Sequence, residues 1–442
     1  MNTKKKKNII LILQASVGSG HKEAAKAIKN ALDQTKGEIN QLDYETKIVD
    51  MLDFCLIKVD GDKIATQYTG SLAPIQDFFW RYNFTGRINW GGGRIYKYFF
   101  PKFLEFFKKL LEEYNVSAAV CTHMIGANVV CGARDKLSLN FPIISVPTDY
   151  ETEGLWPNKQ TDLYCVGSQR MIDTLLARKV PIDKIILTGM PASPEFTLDY
   201  DVCKCREDFK LPQDKAIVLI MSGASEPTPY INMRKTLENS ISYFSMMDWV
   251  YFVFCVGKDK KYKNKLESEI KQHKAKNIRV LSYIDNIAPL MAASDLALCK
   301  AGGMTVTECL CSKLPMLLVG KGYAQEHINI DYLTSIGAAY HATTYKEMIQ
   351  LLVKILSNKH VYQVLQENSN DVRKPDAAFD IGRATLIMSG VNVDKLSNCK
   401  VNLTSRAVQA YDIYKDKIDG NDKKTKLKLI DLYIGDAPAH KR

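Results

Sequence analysis

The stretch that decides the fold is Ile9-Ile10-Leu11-Ile12-Leu13-Gln14-Ala15-Ser16-Val17-Gly18-Ser19-Gly20-His21. Five consecutive apolar residues of strand length run into a loop of small residues. Ala24, Ala25, Ile28 and Leu32 then recur at the spacing of one helical face, predicting a helix over 21–33. A strand apolar on both faces is one buried between layers of helices, so strand, glycine turn and helix together read as the first unit of an α/β protein.

Outward from that unit, apolar runs of strand length recur at 46–50, 117–121, 142–146, 162–166 and 184–188. A second series follows at 216–221, 249–256, 278–282, 295–299 and 315–319. Strands alternating with helical segments form βαβ units, and two series of them predict two Rossmann-like domains. Between the series, Gly189-Met190-Pro191-Ala192-Ser193-Pro194 makes a stiff, non-helical connection. The expected division is an N-terminal unit over 1–192, a C-terminal unit over 193–390, and a tail over 391–442, helical or partly disordered.

Of 442 residues, 46% are hydrophobic and 25% charged, ordinary globular usage that excludes a collagenous, fibrous or mainly disordered chain. Sixty basic residues against 49 acidic ones give +11, which permits an anionic partner without selecting one. Eleven cysteines without a repeating framework favour a reducing compartment. The close pairs Cys203/Cys205 and Cys309/Cys311 lack a second pair or a histidine at zinc-finger spacing, so no metal is expected there. Lys4-Lys5-Lys6-Lys7 before the first apolar run imitates a signal peptide, but the run stops at Gln14 with no small-residue cleavage site after it. Nothing approaches the ~20 apolar residues of a membrane span, so any membrane contact would be peripheral.

Three loops carry the chemistry. Gly20 and the glycine before it let the backbone approach a ligand at a helix N-terminus. Glu23 stands where a dinucleotide fingerprint wants Gly or Ala, and the Gly-Lys-Ser/Thr of a P-loop is absent. His21 at the helix start has its cationic form disfavoured and could serve as a neutral base; the alternative is a plain N-terminal turn residue. Ser222 and Gly223 end strand 216–221. Lys300-Ala301-Gly302-Gly303-Met304-Thr305 ends strand 295–299 and opens a helix bearing Glu308. A glycine pair at a helix start suits a diphosphate, and a carboxylate one turn in can accept both hydroxyl hydrogens of a ribose.

At these residues the chain resembles glycosyltransferase family 28, the monogalactosyldiacylglycerol synthases and processive diacylglycerol glucosyltransferases. The resemblance spans about residues 8–390 and rests on five ordered segments: Ala15 to His21, Pro147-Thr148-Asp149, Thr188-Gly189-Met190-Pro191, Lys300 to Glu308, and Gln325-Glu326-His327-Ile328-Asn329. It implies the GT-B fold, two facing Rossmann-like domains with a cleft between them, donor on the C-terminal one and acceptor on the N-terminal one. Carried over by motif, Gly302, Gly303, Met304 and Thr305 would hold the diphosphate of a UDP-sugar, with Gly20, Ser222 and Gly223 closing from the other side. Glu308 would take the ribose, Gln325 and Glu326 the sugar ring, and Tyr283 and Ile284 the uracil through backbone groups. His21 would be the base, with Asp149 a second candidate or its support.

The implied reaction is transfer of a hexose from UDP-glucose or UDP-galactose to diacylglycerol or a related lipid, with inversion to a β-linkage. It needs no cofactor beyond the UDP-sugar co-substrate and no metal; Asp60-Gly61-Asp62 has a metal-binding spacing but lies remote from the donor motifs. Alternatives are N-acetylglucosamine transfer to a polyprenyl-linked cell-wall precursor, a UDP-sugar epimerase of the same fold, and a catalytically silent nucleotide-sugar-binding protein. Gln325-Glu326 in place of the Gln pair of the cell-wall enzyme favours the glycolipid branch.

One segment remains. Residues 78–107 are crowded with aromatics, among them Trp80, Trp90, Phe99, Phe103, Phe106 and Phe107. Over 81–109, Arg81, Arg87, Arg94, Lys97 and three further lysines face Glu105 alone. Aromatic and basic side chains together suit an anionic bilayer interface. The other reading is a core helix pair with solvated basic faces, and the phenylalanines at helical spacing fit it in part. A lipid acceptor and an anionic membrane surface are therefore the expected partners, nucleic acid is not, and oligomeric state is left open. The expected location is cytoplasmic, peripheral on the inner face of the cell membrane.

Overall fold

The computed structural model describes residues 6–16, 20–38, 42–56, 92–151, 156, 159–222, 231–322 and 325–391, with 92–97 and 231–232 as backbone. Its framework is two six-stranded sheets. The first holds β1 (Lys7–Gln14), β2 (Glu45–Asp50), β3 (Tyr114–Cys121), β4 (Ile143–Ser145), β5 (Leu163–Val166) and β6 (Ile185–Leu187) in the order β2-β1-β3-β4-β5-β6. The second holds β7 (Ala216–Met221), β8 (Val250–Cys255), β9 (Ile278–Leu281), β10 (Leu296–Cys299), β11 (Met316–Val319) and β12 (Ala339–Ala342) in the order β12-β11-β10-β7-β8-β9. Every pairing in both is parallel.

Strand β1 shows why these residues form a central strand. Ile9, Leu11 and Leu13 pack into one apolar layer and Ile10 and Ile12 into the other, all of them buried. The first layer includes Phe99, Phe103 and Phe107 of the Gly92–Glu113 helix, each burial contributing about 1.5–3 kcal/mol. The phenylalanines read from sequence as partly core are therefore core at 99, 103 and 107. Lys108 and Lys109 on the same helix are exposed, and Lys102 donates to the Cys55 carbonyl at 3.0 Å. Trp80, Arg81, Arg87 and Trp90, with Asp60 and Asp62, lie outside the described residues, and only the backbone is described at Arg94 and Lys97.

Three differences from the sequence reading stand out. The first helix runs Gly20–Glu38, more than one and a half turns longer than expected. Strand β12 was not read, because Ala339-Tyr340-His341-Ala342 is short and carries no β-branched residue; its pairing with β11 makes it a strand. The helix Ala377–Met388, which follows the second sheet in the chain, packs on the first. Its Ile381, Ala384, Leu386 and Ile387 share a layer with Ile10, Ile12, Ile28 and Leu32. Nearby, Gly189 adopts φ +88, and a Cβ there would fall 2.3 Å from the Cβ of Lys374. The tail from 392 onward lies outside the described residues, and among those described no helix is long and apolar enough to cross a membrane.

Candidate active site

Open α/β sheets bind ligands beyond the carboxyl ends of their strands, where strand order reverses. In the first sheet that point lies between β1 and β3, and in the second between β7 and β10. The two points meet. A Cβ on Gly20 would lie 3.4 Å from Met304 Cγ, and one on Gly303 would lie 2.1 Å from the Thr148 carbonyl oxygen.

On the first side stands His21. Its Nδ1 lies 2.8 Å from the Thr122 carbonyl oxygen, which can only accept, so Nδ1 carries the hydrogen and Nε2 keeps its lone pair. Thr148 Oγ1, 2.9 Å from the same Nδ1, shares that hydrogen as a second acceptor. The Thr122 hydroxyl returns a bond to the His21 carbonyl at 3.0 Å. Burial lowers the His21 pKa, opposed by the Thr122 carbonyl. Desolvation, rather than the helix N-terminus invoked from sequence, is thus the main effect disfavouring the cationic ring.

Sequence reasoning missed His123. Its ring meets that of His21 edge to face with centroids 4.5 Å apart, and its Nδ1 accepts from Ile125 N at 3.1 Å as the cap of helix Met124–Lys136. Burial, then the proximity of His21, holds His123 well below the ordinary histidine range. The available signal was its place two residues past the end of β3.

On the second side, the helix Gly303–Cys311 begins after Gly302, which offers no capping side chain, so its first amides have no side-chain cap. A Cβ on Gly302 would lie 3.2 Å from Lys300 Cε, which sets the Lys300 ammonium beside this turn. Lys300 pairs with Glu326 at 3.0 Å. The Glu308 carboxyl makes no hydrogen bond or ion pair among the described residues; burial, then Glu23 of the first helix, pushes it up to about 8. Thr305 is half-buried and Met304 buried beside Gly20. Gln325 opens the helix Gln325–Ser335.

The remaining candidates divide. Ser222 is fully buried, its hydroxyl donating to the Cys255 carbonyl at 3.4 Å, and Gly223 lies outside the described residues. Tyr283 is exposed, with Lys258 Nζ 5.0 Å from its ring centroid, and Ile284 packs partly into the second core. Asp149 is not among the hydrogen-bond partners of His21. It accepts from Asn329 Nδ2 at 2.9 Å instead, with burial pushing its carboxyl up to about 7. The residue of that segment that reaches His21 is Thr148.

Two doubly wound parallel sheets meeting at their switch points define the GT-B class. Solved structures with this fold include a UDP-GlcNAc 2-epimerase from Neisseria meningitidis bound to UDP-GlcNAc, at 12% identity over 86% of this chain and 99% of that one, TM-score 0.57. MurG of Acinetobacter baumannii matches at 14% identity over 85% and 98%, TM-score 0.53. The chain belongs to glycosyltransferase family 28: residues 21–192 match the Monogalactosyldiacylglycerol (MGDG) synthase family, and residues 220–381 match the Glycosyltransferase family 28 C-terminal domain. Similar curated proteins include the processive diacylglycerol beta-glucosyltransferases of Bacillus pumilus (25% identical, 83% of this chain, 91% of that one) and Bacillus subtilis (25%, 84% and 92%).

Proposed function

We propose that this glycosyltransferase moves a hexose from UDP-glucose or UDP-galactose to the hydroxyl of diacylglycerol or a related membrane lipid, inverting the anomeric carbon to give a β-glycolipid. The observation that carries the reading is His21: a half-buried imidazole, its Nδ1–H held by a backbone carbonyl and its Nε2 without a hydrogen-bond partner among the described residues, at the junction with a glycine-led helix start. Nε2 would take the proton of the acceptor hydroxyl as its oxygen attacks the anomeric carbon. The first amides of the Gly303–Cys311 helix, with Lys300 beside Gly302, would stabilise negative charge on the departing UDP. No metal enters this account. The names of the curated relatives support a lipid acceptor; the epimerase and MurG likenesses support the fold alone.

Purified protein supplied with a panel of UDP-sugars and lipid extracts, products read by mass spectrometry, tests the proposal directly. A hexosyl-diacylglycerol is expected; transfer of N-acetylglucosamine to a polyprenyl lipid, or epimerised UDP-sugar with no lipid product, would replace it.

Two further expectations attach to the parts of the site. Glu308→Ala removes the carboxylate proposed for the ribose, so UDP should cease to raise Tm; full retention of the UDP-induced shift would unseat Glu308 from that role. Peripheral attachment to the inner membrane face is proposed for the basic, aromatic segment. Flotation with anionic liposomes should weaken when Arg81, Arg87, Arg94 and Lys97 are replaced together by glutamine, and weaken further with salt. Unchanged flotation would leave the segment a purely structural one.

A further inference from the structure

Asn329 is a fully buried side chain, and its bonds run in three directions across the junction of the two sheets. Its Nδ2 donates to Asp149 Oδ1 at 2.9 Å and to the Ala301 carbonyl at 2.9 Å, while its Oδ1 accepts from Tyr150 N at 3.0 Å. Asp149 and Tyr150 follow β4 of the first sheet; Ala301 follows β10 of the second and precedes the glycine pair. One amide therefore ties the segment after β4 to the turn proposed for the diphosphate.

The clasp continues on both sides. The Tyr150 ring stacks on Tyr332, one helical turn past Asn329, at 4.9 Å between centroids, and its hydroxyl lies 3.2 Å from Thr307 Oγ1 on the Gly303–Cys311 helix. In the other direction Thr148, next to Asp149, contacts His21 Nδ1 at 2.9 Å. A continuous series of contacts thus runs from His21 through Thr148 to Asp149 and Tyr150, then through Asn329 to the helix that begins at Gln325 and Glu326. Lys300 and Glu326 are the charged groups that also act on Asp149.

We propose that Asn329 is a positioning residue for the transfer step: by holding Asp149 and Tyr150 against Ala301, it fixes the distance between the His21 base and the anomeric carbon of a donor seated on the other half. The proposal rests on the hexosyl-transfer reading of the same site. It assigns Asn329 neither sugar binding nor proton transfer. Serine keeps one donor but is too short to reach all three partners. Aspartate keeps the shape and the acceptor but, when ionised, has no hydrogen for Asp149 or Ala301 and sets one carboxylate beside another.

The test measures kcat and donor KM for wild type, Asn329→Ser and Asn329→Asp from pH 6 to 8, with the UDP-induced Tm shift as a check that each variant folds and binds donor. A misplacement on the scale of 1 Å costs about 10²-fold, so kcat of Asn329→Ser should fall by roughly that factor while donor KM and the UDP shift hold. The kcat of Asn329→Asp relative to wild type should recover toward pH 6, where the protonated acid regains one donor. A kcat equal to wild type, or a loss carried wholly by donor KM, would overturn the proposal, the latter by making Asn329 a donor contact. A second readout does not involve turnover. Small-angle scattering with UDP bound should show a larger radius of gyration for Asn329→Ser than for wild type, and an equal radius would also overturn it. Wild-type protein that makes no glycolipid from any UDP-sugar would defeat the transfer reading instead, and scattering would still judge the clasp.

Discussion

Replacing His21 with alanine should lower turnover about 10²–10⁴-fold, the usual contribution of a positioned general base, while UDP continues to raise Tm as in wild type. The separation follows from geometry: the bonds of His21 run to Thr122 and Thr148 of the first half, and the residues proposed for UDP, Gly20 apart, stand on the second. The pH profile sharpens the test. The base must be neutral to accept a proton, and burial holds its pKa below the ordinary 6.5, so the fall in kcat/KM on acidification should set in at lower pH than a solvated histidine would give. Turnover near wild type in His21→Ala would mean that the proton goes elsewhere. An acid limb above 6.5 in the wild type would mean that the ring is more solvated than its contacts indicate.

Gly303→Ala is the second large effect. Its φ lies outside the left-handed region, so alanine has no backbone strain to answer for; the cost is the methyl group, placed 2.1 Å from the Thr148 carbonyl oxygen and 3.0 Å from Asp149 Oδ1. Neither half can yield locally, because Thr148 is bonded to His21 and Asp149 to Asn329. The halves must separate at the point where the reaction is proposed. Overpacking of this kind costs about 1–3 kcal/mol, and turnover should fall far more than stability does. Calorimetry and product formation on the same preparation check both parts. Wild-type turnover in Gly303→Ala would show that the contact at Thr148 is not kept during catalysis.

Much of this frame is legible in the sequence because it is written locally. Continuous apolar runs are what strands buried on both faces require, and eleven of the twelve strands, all those ending at Val319 or earlier, together with the loops after β1, β7 and β10, follow from them. Strand β11 is the last of these, and β12 escapes because pairing rather than composition makes it a strand. The site was half legible. His21, Gly303 and Glu308 announce themselves by position at helix starts, which a spacing argument can reach. Thr148, His123 and Asn329 gain their significance from partners more than a hundred residues away in the chain or across two sheets, and nothing in a local pattern names those partners. Asp149 illustrates the limit: its segment was noticed, yet its bond to Asn329 instead of His21 appears only when the two sheets face each other.

The return of the Ala377–Met388 helix to the first sheet makes the second half, topologically, an insertion within the first. The chain passes between them twice, near Gly189 and near Lys374, and these crossings touch, since a Cβ on Gly189 would overlap the Lys374 side chain. Two tethers side by side would hold the halves together at one edge, so that separation there is restrained while the far edge is not. Any separation of the halves would be confined in the same way, and the bonds of Asn329 to Asp149 and Ala301 span the gap that would have to open.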